Sequence, residues 1–157
     1  MLKISKQAST TLSLVLAAIF FLGCVAGLFV LPMLTEMLIN LPDNIGNRDQ
    51  IGQFGRIFSL ICAYCVVLDM MLAVVFVFRL LLLVRKGEVF TDRAVSLLRG
   101  ISWCALGLCI PFGCLGIYFQ LSWIVGLAAL FLGICLRVCK NAFEEATAIK
   151  QENDLTV

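Results

Sequence analysis

The feature that most constrains this chain is the near absence of charge from four long apolar runs. The runs cover residues 10–34, 54–84, 97–119 and 121–139, and the segments outside them hold nearly all of the Lys, Arg, Asp and Glu residues. Each run has about the 20 residues that an α-helix needs to cross the hydrocarbon core of a bilayer. The pattern predicts an all-α integral membrane protein, a four-helix bundle with helices at roughly 10–34, 54–84, 94–119 and 121–140.

The overall composition leads to the same class. Hydrophobic residues make up 62% of the 157 residues, charged residues 14%, and the mean hydropathy is +1.05. A soluble domain of this length has no interior large enough for so much apolar surface. We expect a single membrane domain over residues 1–157 with a short cytoplasmic tail at 141–157. The net charge of +2 is too small to indicate direct binding of nucleic acid.

The basic residues predict the orientation in the membrane. Cytoplasmic loops retain Lys and Arg, whereas outer loops have few. The third connection has no charge, and the first has Arg48 as its only basic residue, with Arg56 at its border. An N-in/C-in topology with a cytoplasmic middle loop is therefore predicted. A cleaved signal sequence is the alternative for the first run, but that run is longer than a typical signal core, which favours a retained helix. The basic residues on the predicted cytoplasmic side are Lys3, Lys6, Arg85, Lys86, Arg93, Arg99, Arg137, Lys140 and Lys150.

The eight cysteines all lie in the apolar runs, and the chain contains no histidine. Cys62 and Cys65 have the spacing of a metal or redox pair, but they lie inside a predicted helix without a second pair. The commonest metal ligand and the commonest general base are both missing. We expect packing cysteines, no metal site, no cofactor and no catalytic residue.

Asp69 is the residue that a bilayer makes costly, because it lies near the middle of the second run. A charge there costs several kcal/mol, so the carboxyl is expected to face the bundle interior and to be neutral or paired. Two interpretations stay open at this point. Asp69 is either a proton or substrate site, or a protonated carboxyl that forms a hydrogen bond across the bundle.

Small residues and one proline predict features of the packing. Gly23 and Gly27 form one small-residue stripe, which suits either internal packing or a homodimer, with internal packing favoured. Pro111 predicts a kink in the third helix. A second stripe contains Gly126, Ala129 and Gly133.

The middle loop and the tail hold the remaining motif-like residues. Gly87 suits a left-handed cap at the end of the second helix, and Thr91 suits an N-cap of the third. The tail is polar, with Phe143 on one helical face, and ends in apolar residues after several acidic ones. The predicted partner-binding residues are Gly87, Glu88, Phe90, Thr91, Phe143, Glu152, Asp154, Leu155 and Val157.

These two segments also carry a resemblance to a known family. The run from Gly87 to Thr91 after a long helix, Leu98-Arg99, Phe143-Glu144 and the terminal Glu152 to Val157 resemble the bacterial membrane family catalogued as domain of unknown function 2975. The resemblance implies a four-helix protein of the bacterial cytoplasmic membrane without an established activity. Genes of such proteins often neighbour a small helix-turn-helix regulator, which suggests a regulatory pairing.

Two classes of function follow. The first is a non-enzymatic membrane module that binds or sequesters a cytoplasmic protein, such as a small helix-turn-helix regulator. The second is a small proton- or solute-translocating protein that uses Asp69. An enzyme is disfavoured because the sequence offers no nucleophile-base pair, phosphate loop or metal set. A homo-oligomer is compatible with either class.

Overall fold

The computed structural model describes residues 6–40 and 52–155, which are almost entirely helical. Four segments are long and apolar enough to cross a membrane: Ser9–Ile39, Gln53–Lys86, Asp92–Leu115 and Gln120–Asn153. This confirms the predicted all-α fold with four membrane-type helices. The helices are α1 (Lys6–Ile39), α2 (Gln53–Lys86), α3 (Asp92–Gly107), α4 (Cys109–Leu115) and α5 (Gln120–Leu155).

The outer surface of the helices is apolar. Phe29 is 82% exposed, Phe54 78% and Ile110 73%, and similar side chains cover every crossing. In water such continuous apolar surface would drive aggregation, whereas lipid tails solvate it. The exposure pattern therefore fits a bundle whose outer faces contact the bilayer.

α1 extends beyond the predicted 10–34 and contains Pro32. Proline has no N–H, so the carbonyl of Leu28, four residues earlier, loses its normal helical donor. The hydroxyl of Tyr64 on α2 donates to that carbonyl at 3.4 Å. A membrane interior offers no water to satisfy the group, so this side chain allows the helix to continue past the proline.

The third crossing differs from the continuous helix predicted at 94–119. It is interrupted at Leu108, and α4 then runs only to Leu115. Pro111 cannot donate to the carbonyl of Gly107, and regular bonding resumes with the Phe112 N–H to the Leu108 carbonyl at 3.2 Å. Leu108 keeps helical backbone angles (φ −59°, ψ −23°), so the structure shows an interruption of helical hydrogen bonding at Pro111, and the predicted kink stays a prediction.

The fourth crossing also departs from the prediction of a helix ending near residue 140. α5 is one helix from Gln120 to Leu155, so most of the predicted tail is its continuation. Residues 141–153 contain neither Gly nor Pro, and Phe143 and the buried Thr147 lie on the side that packs against the chain. The change from apolar to polar residues marks the end of the apolar segment and not the end of the helix.

The helices pack antiparallel and mainly on their neighbours in the chain. α1 packs on α2, α2 packs on α3 and α4, and α5 packs on α3 and α4. α2 and the third crossing are antiparallel, so residues late in α2 contact residues early in the third crossing. From one end to the other, the paired residues are Phe76 with Gly100, Asp69 with Gly107, Cys62 with Cys114, and Phe58 with Tyr118.

The two small-residue stripes have different roles. A Cβ built on Gly133 would lie 2.8 Å from the Leu106 side chain, and one on Gly126 would lie 3.3 Å from Phe112. These glycines let α5 approach the third crossing closely. For Gly23 and Gly27, no such neighbour lies within 4 Å in the described part of the chain. The internal packing predicted for the first stripe is thus absent there, and the homodimer interpretation stays a prediction.

Candidate functional site

A short elbow joins α2 to α3, and its geometry follows from two residues. Gly87 has φ 80° and ψ 5°, its N–H donates to the Val84 carbonyl, and the Glu88 N–H donates to the Leu83 carbonyl, both at 3.1 Å. This is the Schellman pattern, in which glycine is favoured because its φ is positive. The predicted left-handed cap is confirmed.

Thr91 caps the next helix from the other side of the elbow. Its hydroxyl oxygen accepts from the Ala94 N–H at 3.3 Å, and the hydroxyl lies 3.3 Å from the Glu88 carbonyl, to which it can donate. The predicted N-cap is confirmed, and Thr91 also contacts the other end of the elbow. Only five residues, 87–91, therefore separate two helices that are capped at both facing ends.

The elbow contacts α5 through two aromatic rings. Phe90 and Phe143 stack with their centroids 5.8 Å apart and their planes at 24°. Phe90 is nevertheless 43% exposed, so the pair is accessible from solvent. The two predicted partner-binding segments, which are distant in sequence, thus contact each other. We call the face formed by residues 87–99 and 143–155 the elbow–tail surface.

Charged side chains link α3 to α5 on this surface. Glu144 Oε2 lies 2.6 Å from Lys140 Nζ, and Glu144 Oε1 lies 3.4 Å from Arg99 Nη2. The hydrogen bond from Lys140 and its positive charge lower the pKa of the Glu144 carboxyl below its ordinary value, and Arg99 adds to the effect. Glu144 therefore remains charged and holds two cations at neutral pH.

A groove of about 280 Å³ runs between α3 and α5 on the elbow–tail surface. Gln151 Nε2 donates to Asp92 Oδ2 at 3.5 Å across it, and Thr147 at its base is only 2% exposed. The groove combines acidic, basic and amide groups with a few small apolar side chains. Its lining residues are Asp92, Val95, Ser96, Arg99, Glu144, Thr147, Ala148 and Gln151.

The predicted site residues are only part of this arrangement. Phe90, Thr91 and Phe143 lie in the contact between elbow and tail, and Glu88 and Glu152 are exposed near it. Asp154 and Leu155 are the last two residues of α5, while Val157 lies outside the described residues. The structure thus brings the elbow and the first part of the tail together.

Sequence reasoning missed the polar groups in and beside the groove. Lys140, Glu144, Thr147 and Gln151 follow at steps of four, three and four residues, which places them on one face of a helix. The sequence shows this periodicity if the tail is treated as a helix. Arg99 offered no such local signal, because its role depends on a residue 45 positions away.

Asp69 lies where predicted, inside the contact between α2 and α3. The Cys104 thiol of α3 is its hydrogen-bonding side-chain neighbour, and Asp69 Oδ1 would lie 3.8 Å from a Cβ on Gly107. Asp69 Oδ2 is buried and has no hydrogen-bond partner among the described residues. The carboxyl therefore faces the third crossing, and its hydrogen-bonding neighbour there is a cysteine.

All eight cysteines are free thiols. Cys62 contacts Cys114 of α4, and Cys109 donates to the Gly126 carbonyl at 3.1 Å, so several of them link neighbouring helices. Cys62 is buried while Cys65 is exposed, so the two do not form a common site. Within residues 6–40 and 52–155, no group of three or more Cys, Asp or Glu side chains is placed to hold a metal ion.

Fold and surface together define an all-helical protein of the multi-pass membrane type, with a structured polar end formed by the elbow and the end of α5. Residues 39–157 match the model of the family described as Protein of unknown function (DUF2975), and the chain belongs to this family. The match begins at the last residue of α1 and includes α2 to α5. No curated protein and no solved structure matches the chain.

Proposed function

We propose that this protein is a non-enzymatic membrane module whose elbow–tail surface binds a cytoplasmic protein. The observation that carries the proposal is the contact between Phe90 and Phe143, which joins two motif-like segments into one exposed surface. A purely architectural elbow needs only the caps at Gly87 and Thr91. It does not need a polar groove or a half-exposed aromatic pair beside it.

The length of α5 supports the same proposal. Its 36 residues make a helix roughly 54 Å long, whereas the hydrocarbon core is about 30 Å thick. The last turns therefore extend past the bilayer, on the side that the Lys and Arg distribution assigns to the cytoplasm. This extension presents the groove and exposed apolar side chains such as Ile149, which is 60% exposed, to a soluble partner.

A small helix-turn-helix regulator is the partner that we propose, on the gene neighbourhood that the family resemblance implies. Binding at the elbow–tail surface would hold such a regulator at the membrane and away from DNA. The groove has both signs of charge, with Asp92 and Glu144 near Arg99. Electrostatic complementarity of this kind sets orientation and specificity more than affinity.

The test is the membrane retention of the neighbouring regulator when it is co-expressed with the full-length protein. Wild type should hold the regulator in the membrane fraction. Glu144→Gln, which removes the charge between Lys140 and Arg99, should release it, and so should deletion of residues 154–157. Glu145→Gln is the matched control, because Glu145 is exposed and does not line the groove.

The membrane protein itself should insert equally well in all four forms, because the membrane helices satisfy their own backbone groups. A regulator that remains soluble in the presence of wild type contradicts the proposal. If the regulator is retained by every variant, the elbow–tail surface is not the binding site.

A second candidate function rests on Asp69, whose buried Oδ2 has no hydrogen-bond partner within residues 6–40 and 52–155. Intramembrane carboxyls of this kind serve proton or solute pathways. Packing of Phe76 on Gly100 and of Cys62 on Cys114 fills the contact on both sides of Asp69, which favours a structural role. Proton flux into vesicles that contain the purified protein, compared between wild type and Asp69→Asn, decides between the two functions. An Asp69-dependent flux establishes translocation.

A further inference from the structure

A second pocket at the elbow end lies between α2 and α3, and it adjoins the groove described above at Ser96, which lines both. It is a pocket of about 430 Å³, within the range of roughly 300–1,000 Å³ that is usual for small-molecule sites. No acidic residue is among its lining side chains. The lining consists of Arg79, Leu82, Leu83 and Lys86 from α2 and Arg93, Ser96 and Leu97 from α3.

Helical spacing explains why these side chains converge. Arg79 and Lys86 are seven residues apart and therefore lie on one face of α2. Arg93 and Leu97 are four residues apart on the facing side of α3. The elbow at Gly87 holds the two helix ends together, so three cations from two helices border the same space.

The three cations are available for a ligand. Arg79, Lys86 and Arg93 are all exposed, and neither of the ion pairs of Glu144 described above involves them. Among the residues that the structure describes, no ion pair neutralises these three cations, so their positive charges repel one another. An anion in the pocket removes that repulsion and forms charge-assisted hydrogen bonds with the guanidinium groups.

The depth of the pocket restricts the kind of anion. Arg79 lies roughly 10 Å along the helix axis from Lys86, toward the middle of the membrane segment. An arginine at that depth directs its guanidinium toward the phosphate layer, while its methylene groups remain among apolar groups. Leu82, Leu83 and Leu97 form the apolar part of the wall. A ligand that suits the pocket has a negative head and hydrocarbon chains below it.

We propose that this pocket binds the headgroup of an anionic phosphoglycerol lipid, with Arg79, Lys86 and Arg93 holding the phosphate. Basic pockets between membrane helices on the cytoplasmic side are a known mode of binding such headgroups. Ser96 offers a hydroxyl for the glycerol oxygens. Phosphatidylethanolamine fits poorly, because its ammonium would face three cations and the lining offers no carboxylate to receive it.

The experiment uses the full chain in nanodiscs of mixed phosphatidylglycerol and phosphatidylethanolamine, followed by native mass spectrometry of the lipid that stays bound. Wild type should retain phosphatidylglycerol in preference to phosphatidylethanolamine. The combined variant Arg79→Gln, Lys86→Gln, Arg93→Gln should lower that preference by roughly tenfold or more, since each cation near an anionic lipid contributes measurably. Lys86→Gln alone should lower it by a smaller factor.

The matched control is Arg85→Gln, which removes the same charge one residue away, at a side chain outside the pocket lining. It should retain the lipid like wild type. Lys86 is exposed in the last turn of α2, so the single variant keeps the test valid if the triple variant does not fold. An equal loss in Arg85→Gln and Lys86→Gln, or an unchanged preference in Lys86→Gln, overturns the proposal.

A last measurement distinguishes a site for a lipid from a site for any free anion. Inorganic phosphate added to the nanodisc sample should not displace phosphatidylglycerol, because phosphate has no chains to contact the leucines of the pocket. Displacement by phosphate at the concentration of the lipid means a general anion site and overturns the lipid proposal.

Discussion

The closest approach between α3 and α5 provides the sharpest test of the packing. Gly133 is buried, and a Cβ at this position would lie 2.8 Å from Leu106 Cγ and Cδ2 and 3.1 Å from the Leu106 backbone nitrogen. Carbon atoms in favourable contact are about 3.5–4.0 Å apart. Gly133→Ala therefore requires the two helices to separate by roughly 0.4 Å, because the Leu106 side chain can rotate away but its backbone nitrogen cannot.

Overpacking of a tight contact by one methyl group costs roughly 1–3 kcal/mol. Alanine also favours a helix over glycine by about 1 kcal/mol, which would partly hide the effect. Gly27→Ala is the matched control, since it gains the same helix propensity where no described atom of another helix lies within 4 Å. The two variants should differ in unfolding free energy by roughly 1–3 kcal/mol, with Gly133→Ala less stable.

The assay is unfolding of the purified protein by increasing SDS in mixed micelles, followed by the fluorescence of Trp103 on α3 and Trp123 on α5. Both variants are first compared for insertion and yield. If Gly133→Ala unfolds at the same SDS fraction as Gly27→Ala, α3 and α5 do not approach as closely as described and the argument fails. If Gly27→Ala is the less stable variant, the α1 stripe packs against something outside the described chain.

Three further predictions concern charge. Asp69→Asn should preserve folding and expression whereas Asp69→Lys should reduce both, because an ammonium in the helix contact costs more than a neutral amide; equal yields of the two would contradict this. A reporter fused after Lys86 should give a cytoplasmic signal and one near Asn47 an outer signal, and the reverse result would refute the charge argument. The low pKa of Glu144 means that its ion pairs stabilise the folded state above the ordinary glutamate value of about 4.3 and are lost as the pH falls below it. Lys140→Gln should raise that pKa in a carboxyl NMR titration, and an unchanged value would assign the effect to other groups.

Sequence analysis predicted the parts of the fold that depend on residues close together in the chain. A left-handed cap at Gly87 and an N-cap at Thr91 depend only on the backbone around them, and both are confirmed. The four crossings follow from apolar length, which the bilayer itself requires. The interrupted hydrogen bonding at Pro111 follows from the missing N–H of one residue.

The parts that it did not predict depend on contacts between distant residues. The hydropathy of residues 141–155 shows where the apolar segment ends, but it does not show whether the helix continues. The contact of Phe90 with Phe143, which crosses 53 positions, and the pair of Arg99 with Glu144 exist only after the helices pack. The two glycine stripes look alike in sequence and differ only in what lies opposite them.

The neighbour-by-neighbour packing of the helices also has a consequence for how the chain is made. A membrane helix that leaves the ribosome can pack at once if its partner is already in the bilayer. Here α2 follows α1, the third crossing follows α2, and α5 follows the third crossing, so each new helix meets a surface synthesised just before it. No helix depends mainly on one made much later, and assembly can proceed in the order of translation. The elbow–tail surface includes the end of α5, so it becomes available to other molecules only after α5 has been synthesised.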